Sequence, residues 1–153
     1  MLDDIDLTIL DILQQNGRTR RNDLAAAVGL SIPSISERLR KMEESGILEG
    51  YHAIVNPKKV GKDITAFITV TVDSSKHYPT FLENARANEE ILEVHSVTGM
   101  GTHLIKIRTE NASTLEKLLA VIQAWKGVVT TSTSVVLSTS KETMRLKIAK
   151  LSK

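Results

Sequence analysis

The sequence predicts an α+β chain built from two modules, because two different patterns of apolar residues follow one another. Up to about residue 45 the apolar residues recur at helical spacing, with turn residues between the runs. From residue 64 onward, stretches rich in β-branched residues alternate with helical stretches. The 153 residues, 41% of them hydrophobic, are enough for two small cores. We therefore expect a helical module followed by a mixed one.

Three helices are predicted in the first module. The first starts at an aspartate cap, at position 3 or 4, and stops at Asn16-Gly17. The second ends at Gly29, because glycine tolerates the left-handed conformation that closes many helices. Ser31 can then cap the third helix through its hydroxyl. These signals predict two helices joined by a tight turn.

The third helix is predicted from about Ile32 to Ser45, with Pro33 in its first turn and Gly46 just past its end. Its buried stripe consists of Ile35, Leu39 and Met42. The segments after it, residues 47–48 and 51–55, are predicted as two short strands joined by a turn. They would form a small wing.

The second module has the predicted order βαββαβ. Its strands are expected at residues 64–72, 91–98, 102–108 and 128–137, and its helices at 78–88 and from a capping-box pattern at 113–116. This order matches a ferredoxin-like domain, in which a four-stranded antiparallel sheet carries both helices on one face. Residues 56–63 form the linker, and residues 141–153 form a basic tail that can dock as a helix, with Met144, Ile148 and Leu151 at helical spacing, or fray.

Composition excludes several kinds of site and location. The chain has no cysteine, so disulfides, thiolate metal sites and cysteine nucleophiles are excluded. No stretch approaches the roughly 18 apolar residues of a membrane helix. The N-terminus opens on Asp3, Asp4 and Asp6, where a secretory signal would be basic. We therefore expect a cytoplasmic protein with no membrane partner.

The second predicted helix, its turn and the third helix have the spacing of a helix-turn-helix, a motif that binds double-stranded DNA. Ala25 is small enough to let the two helices approach, Gly29 forms the turn, and Ile35 anchors the third helix in the core. The net charge of +2 does not by itself indicate nucleic-acid binding. The helix spacing therefore carries the prediction.

The third helix also carries side chains that suit the major groove. Ser34, Arg38 and Lys41 line up on one face, with Ser36 and Arg40 beside them. Arginine and lysine reach guanine edges or phosphates, and serine can bond to either. We expect Arg38 and Lys41 to contact base edges or nearby phosphates.

A second basic group, Arg18, Arg20 and Arg21, lies at the start of the second helix. Cations at a helix N-terminus oppose its dipole by roughly 0.3–1 kcal/mol each, which an anionic partner such as the DNA backbone relieves. An internal alternative is Asp23, which can neutralise part of this charge. On the third helix, the alternative is that the charges are ordinary solvated ones, since Glu43 and Glu44 dilute the positive field of its last turn. The predicted DNA-contacting residues are Arg18, Arg20, Arg21, Ser31, Ser34, Ser36, Arg38, Arg40 and Lys41.

Several motifs resemble the leucine-responsive regulator/AsnC family, also called feast/famine regulators. They are Leu24-Ala25, Val28-Gly29-Leu30-Ser31, Arg38-Leu39, Glu43 and the run from Gly46 to Tyr51, with further matches at residues 3–6, 9–10, 16–18, 56–57 and 61. The resemblance covers nearly the whole chain. It implies an N-terminal DNA-binding domain at residues 1–55 and an effector-binding and oligomerisation domain at residues 64–140.

The resemblance also implies an assembly and a ligand. Dimers of this family form largely through the sheet domains and often assemble into octamers around which DNA is wrapped or bent. A small amino acid binds between dimers, against the loop after the second strand and the last strand of a neighbour. By position, the effector-binding residues here are Gly99, Met100, Gly101, Thr102, His103, Thr131, Ser132 and Thr133. The alternative is that the two glycines form an ordinary hairpin turn and that residues 131–133 lie on a solvated strand face without binding a ligand.

Two positions depart from the family pattern. Family members commonly carry an Asp near position 102, suited to a ligand ammonium, whereas this chain has Thr102 followed by His103. Either another ligand class is recognised or the site is vestigial, and His103 can add pH sensitivity. At the start of the second helix Arg20 replaces a common Ser or Thr cap, for which Thr19 is a substitute one residue early.

Three other functions are alternatives to a ligand-responsive DNA-binding regulator. A similar architecture resembles sirohaem decarboxylases, but the four histidines lack metal-ligand spacing and no catalytic motif is present, so we expect no enzyme, no cofactor and no metal. RNA-recognition domains share the βαββαβ order but stack bases on aromatic residues, which are 3% of this chain. An architectural protein that wraps DNA without an effector is the third alternative.

Overall fold

The computed structural model describes residues 2–148, which divide into two compact units. One unit contains the described residues up to Ile54 together with those from Lys141 onward, and the other runs from Val55 to Ser140. Residues 149–153, including Leu151 of the predicted tail, lie outside the described residues. The α+β fold class, a helix-turn-helix unit followed by a ferredoxin-like unit, is confirmed.

Three helices form the first unit, as predicted. They are α1 (Asp4–Gln15), α2 (Arg21–Val28) and α3 (Ile32–Glu44). Asp3 caps α1 in a capping box: its carboxylate accepts from the Asp6 N–H at 2.8 Å, and the Asp6 carboxylate accepts from the Asp3 N–H at 3.0 Å. Satisfying two backbone donors in this way fixes where α1 begins.

The turn between α2 and α3 has the geometry that the sequence indicates. Gly29 adopts φ 70° and ψ 34°, a left-handed conformation that ends α2 without a Cβ clash. The Leu30 N–H then donates to the Ala25 carbonyl at 3.1 Å, and Ser31 caps α3 by accepting from the Ser34 N–H. The small Ala25 is buried at the contact. The core of this unit contains Ile9, Leu10, Leu13, Leu24, Ala25, Ile35, Leu39 and Met42.

The two strands predicted for the wing are not formed. No strand occurs in the described residues between α3 and Ile64. The N–H groups of Ile47 and Leu48 instead donate to the Met42 carbonyl, at 2.9 and 3.0 Å, around Gly46 at φ 70°. These residues therefore close the C-terminal end of α3, and a lone hairpin of such short strands is marginally stable without a further strand to pair with.

The second unit contains a four-stranded sheet and two helices. The elements are β1 (Ile64–Val72), α4 (Tyr78–Ala87), β2 (Ile91–Ser96), β3 (His103–Thr109), α5 (Ala112–Gln123) and β4 (Val128–Val135). The strand order is β2-β3-β1-β4, and all three neighbouring pairs are antiparallel. The predicted order and topology are thus confirmed.

Both helices cover the same face of this sheet. The buried residues of β1 and β3 alternate along each strand and pack with Phe81 of α4 and with Leu118 and Ile122 of α5. One predicted detail is wrong, because the cap of α5 lies two residues earlier than the pattern at residues 113–116 indicated. Asn111 is the cap, and it forms a capping box with Thr114.

The C-terminal segment, residues 141–148, is not helical, so the predicted terminal helix is not formed in the described residues. Its Ile148 side chain packs against the core of the helical unit, and Leu146 exchanges two hydrogen bonds with the Gln14 side chain. This segment docks on α1 without forming a helix or a strand.

Candidate nucleic-acid interface and effector loop

The start of α2 is a basic surface with no side-chain cap. Arg18, Arg20 and Arg21 are exposed, and Arg20 itself occupies the cap position without making a capping hydrogen bond. Thr19 does not substitute as the cap: its hydroxyl donates to the Asn16 carbonyl at 2.7 Å. Helix dipole, backbone N–H groups and three cations thus coincide at one place, an arrangement that attracts an anion such as a phosphate.

The outer face of α3 holds a network of ion pairs. Arg40 forms two hydrogen bonds to Glu37, at 2.7 and 2.9 Å, and also contacts Glu44, while Lys41 lies 3.6 Å from Glu37. These bonds from Arg40 lower the pKa of Glu37 to about 2, and the carboxylates in turn raise the pKa of Arg40. The network orients Arg40 and Lys41 on an exposed surface, where each pair is worth little to stability.

Arg38 has a different environment from its neighbours. Its Nη1 lies 2.8 Å from an Asp3 oxygen and 2.7 Å from an Asp6 oxygen, and only 28% of the side chain is exposed. These two bonds raise the pKa of Arg38, while the Asp6 backbone N–H and then Arg38 lower the pKa of Asp3. The predicted base-contacting arginine is thus held against the capping box of α1.

The predicted stripe on α3 borders a cleft beside the N-terminus of α1. The cleft measures about 560 Å³, and Ser34, Arg38 and Lys41 all line it. Ser34 and Lys41 are exposed, and the Ser34 hydroxyl lies 2.8 Å from that of the cap residue Ser31. Ser36 is half-buried. Within the predicted stripe, Ser34 and Lys41 are therefore accessible, while the Arg38 guanidinium is paired with Asp3 and Asp6.

Sequence reasoning did not pair these cations with the carboxylates that hold them. Glu37 and Glu44 stand three and four positions from Arg40, a spacing that was visible in the sequence and typical of helical ion pairs. Asp3 and Asp6 are 35 and 32 positions from Arg38, so no local pattern could have paired them. Tyr51 was also missed: burial and its 3.0 Å hydrogen bond to Glu43 raise its pKa to about 12.

The predicted effector loop contains two glycines with positive φ, Gly99 at 103° and Gly101 at 78°. A Cβ at position 101 would lie 2.5 Å from Thr69 Cγ2 and 3.0 Å from the Val70 carbonyl oxygen, so the loop backbone passes directly against β1. Met100, between the glycines, is 87% exposed. The loop is therefore packed against β1 at Gly101, whereas the Met100 side chain is exposed to solvent.

Thr102 and His103 face into the protein. The Thr102 hydroxyl accepts from the Val72 N–H at 3.0 Å and lies 3.2 Å from the Val70 carbonyl, where the register of β1 with β4 shifts. His103 is fully buried against the rings of Tyr78 and Phe81, at centroid distances of 4.8 and 4.6 Å. Burial lowers the pKa of His103. These two side chains hold the loop on the sheet.

The three predicted residues of β4 do not share one face. Thr131 and Thr133 pair with Val70 and Ile68, which point to the helix side of the sheet, whereas Ser132 pairs with Thr69 on the open side. The Thr131 hydroxyl also accepts from the Gln123 side chain at 2.9 Å. Ser132 and Gly101 thus both neighbour Thr69. The Ser132 hydroxyl lies on the β4 side of β1, and the loop backbone at Gly101 lies on its β3 side.

Comparison with known proteins assigns both units. Residues 65–146 match the domain family described as the Lrp/AsnC ligand binding domain, and residues 2–49 match a winged helix-turn-helix DNA-binding family. The chain belongs to the Lrp/AsnC family of transcriptional regulators. The Lrp/AsnC assignment confirms the resemblance drawn from the sequence motifs.

The similarity to named Lrp/AsnC regulators extends over almost the full chain. The HTH-type transcriptional regulator FL11 of Pyrococcus abyssi is 40% identical over 147 residues, covering 96% of this chain and 97% of its own. The leucine-responsive regulatory protein of Escherichia coli is 35% identical over 150 residues, covering 96% and 92%. A transcriptional regulator of Neisseria meningitidis solved as an L-Met complex superposes with a TM-score of 0.90 at 29% identity, covering 96% and 97%.

Two other properties complete the description of the Lrp/AsnC chain. Within residues 2–148, no group of three or more His, Asp or Glu side chains could hold a metal ion. None of the helices in this part of the chain is long and apolar enough to cross a membrane. The relatives named above are described as an HTH-type transcriptional regulator and a leucine-responsive regulatory protein.

Proposed function

We propose that this chain is a sequence-specific DNA-binding regulator whose binding responds to a small amino-acid-like effector. The observation that carries the proposal is the basic, uncapped start of α2 beside a helix-turn-helix turn of the expected geometry. Two neighbouring functions meet there: phosphates bind at α2, and bases are read from α3. As a DNA-binding regulator, the chain is proposed to work in the cytoplasm.

For DNA recognition we assign different roles to the predicted residues. Arg18, Arg20 and Arg21 contact phosphates, because they surround the positive end of the α2 dipole. The exposed side chains of α3 meet the major groove, and these are Ser31, Ser34, Arg40 and Lys41, with Ser36 at the edge. Arg38 acts indirectly, by fixing α3 against α1 through Asp3 and Asp6.

For the effector we propose a site on the loop at Gly99–Gly101 and on the open side of β4 at Ser132. Support comes from the Neisseria relative, which was solved with L-Met. Thr102 and His103 act as supports that hold the loop on β1, and Thr131 and Thr133 lie on the helix side. We propose that the chain forms a homodimer, and that dimers assemble into a higher oligomer such as an octamer.

The DNA proposal is tested by charge removal at α2. Replacing Arg18, Arg20 and Arg21 by Gln should weaken binding to duplex DNA and reduce the slope of log K against log salt by about 0.9 for each lost phosphate contact. The matched control replaces Lys117 and Lys126, exposed lysines of the second unit, by Gln. An unchanged slope in the α2 variant contradicts the assignment.

The effector proposal is tested by calorimetry with a panel of amino acids on the assembled protein. Binding heat, together with a change in DNA affinity or assembly size, is the expected result. Absence of heat from every amino acid, with DNA binding intact, would favour an architectural protein that wraps DNA without an effector.

A further inference from the structure

The C-terminal segment forms a second basic surface on the helical unit. Residues 141–148 contain three cations, Lys141, Arg145 and Lys147, against one acidic residue, Glu142. Together with Asp11 of α1, the three cations border a cleft of about 540 Å³, to which Thr143 and Ile148 also contribute. The lining is therefore predominantly basic.

This segment is anchored by specific contacts. The Gln14 side-chain amide donates to the Leu146 carbonyl at 3.2 Å and accepts from the Leu146 N–H at 2.6 Å, which mimics the pairing of two backbones. Arg145 forms a 2.8 Å ion pair with Asp11, and Ile148 packs against the core of the unit. Two polar anchors and one apolar anchor thus fix this stretch of chain on the helical unit.

The pairing of Arg145 leaves two cations for an external partner. Asp11 is the only acidic residue that lines the cleft among the described residues, and its Oδ1 is taken by Arg145. Lys141 and Lys147 are exposed at the same cleft. A cleft with surplus positive charge and a hydroxyl, from Thr143, suits phosphate oxygens.

The anchor lies close to the basic start of α2. Gln14 and Arg18 are four residues apart, so their Cα atoms are separated by at most about 14 Å. A DNA backbone carries charges at a much finer spacing, roughly one per 1.7 Å of duplex axis. The Gln14 anchor is therefore within reach of a duplex bound at the start of α2.

We propose that the docked segment Lys141–Ile148 extends the DNA interface, with Lys141 and Lys147 contacting the phosphate backbone. The partner is double-stranded DNA, contacted without regard to base sequence. This inference rests on the proposed DNA-binding function and adds a surface outside the helix-turn-helix. Because Gln14 and Ile148 hold the segment in place, the surface is preformed and its lysines need less ordering when DNA binds.

The test measures affinity of the full chain for random-sequence duplex DNA as a function of salt. Replacing Lys141 and Lys147 by Gln should lower the slope of log K against log salt by about one to two, since each phosphate contact contributes about 0.9. A second variant, Gln14→Ala with Ile148→Ser, detaches the segment without changing its charge and should also lower the slope. The Lys117→Gln, Lys126→Gln control should keep it.

Each outcome has a defined meaning. A wild-type slope in the Lys141→Gln, Lys147→Gln protein overturns the phosphate contacts. A reduced slope in that protein with a wild-type slope in the detached variant also overturns the proposal, because the lysines would then act from an undocked tail. If the wild-type chain itself fails to bind duplex DNA, the proposed DNA-binding function fails, which is a distinguishable result.

Discussion

Arg38 lies on the helical stripe of Ser34 and Lys41, yet its two carboxylate partners give it a structural role. Asp6 is largely buried, and its carboxylate would lose its charged partner if Arg38 were removed. A largely buried carboxylate that loses its cationic partner destabilises the fold, because the cost of its desolvation is no longer offset by a charge-assisted hydrogen bond. The residue that helical spacing made the prime candidate for base contact thus stabilises the contact between α1 and α3.

Arg38→Ala should therefore destabilise the helical unit, by about 2 kcal/mol, through lost charge-assisted hydrogen bonds. Amide hydrogen exchange in α1 and α3 measures this directly, and about 2 kcal/mol corresponds to roughly thirtyfold faster exchange where opening is limiting. The matched control is Arg40→Ala, whose exposed ion pairs should be worth less than about 1 kcal/mol. Equal exchange in the Arg38 variant and the wild type would contradict the structural role.

His103 gives the second unit a pH dependence with a definite sign. Burial lowers its pKa below the ordinary value of about 6.5, so the unfolded chain binds more protons than the folded chain just below that pH. Its contribution to stability is complete above about pH 6.5 and is lost as the pH falls toward the lowered pKa. Trp125, the single tryptophan, packs on Phe81 in this unit and reports its unfolding.

His103→Leu should flatten the dependence of the Trp125-detected melting temperature on pH between about 7.5 and 5.5, since the buried imidazole is no longer there to be protonated. The exposed His52 lies in the other unit, so His52→Gln should retain the wild-type dependence. If His103→Leu and the wild type lose the same stability over this range, another group is responsible.

Among the elements, the effector loop is the one whose conformation depends most on single residues. Gly99 and Gly101 both have positive φ, which costs a residue with a Cβ roughly 1–2 kcal/mol. Only Gly101 also lies against β1, where an added Cβ would meet Thr69 and Val70. A substitution at Gly99 therefore has only the cost of positive φ, whereas a substitution at Gly101 has that cost and a steric clash with β1.

Gly101→Ala should lower the stability of the second unit more than Gly99→Ala, because only the first substitution adds a clash with β1 to the cost of positive φ. Urea unfolding followed by Trp125 fluorescence measures both variants, with Gly99→Ala as the matched control. Equal destabilisation would mean that the loop moves away from β1 at no cost.

Most elements could be predicted from sequence because their signals are local. Asp3, Gly29 and Ser31 each act on a backbone group within a few residues, so their types and spacing indicated where helices begin and end. The prediction of the wing strands was wrong for a physical reason. The N–H groups of Ile47 and Leu48 bond to the C-terminal end of α3, and the β propensity of these residues does not reveal that competing hydrogen bond.

The candidate sites were harder to predict, because their contacts join residues distant in the sequence. Arg38 meets Asp3 and Asp6 across more than 30 positions, and Thr102 meets Val70 and Val72 across a similar distance. Spacing placed these residues on the correct helix or loop. It could not tell which of their polar atoms were already bonded inside the protein.

At the scale of the whole molecule, two units carry two proposed tasks on one chain. The helical unit contains both basic surfaces, at the start of α2 and along the docked segment, while the sheet unit contains the loop that we propose binds an effector. The segment after β4 returns to the helical unit, so the chain joins the two units through residues 55–63 and again through residues 136–140. An effector on β4 would thus act on a strand that leads directly into the docked segment.

The central claim is sequence-specific DNA binding that responds to a small amino-acid-like effector. It is tested most directly by footprinting the purified full chain on genomic DNA of its source, with excess non-specific competitor, in the presence and absence of an amino-acid mixture. We predict discrete protected sites, with half-sites about one helical turn apart, whose occupancy or extent changes with the amino acids. Uniform protection that the competitor abolishes, unchanged by any amino acid, would contradict the claim.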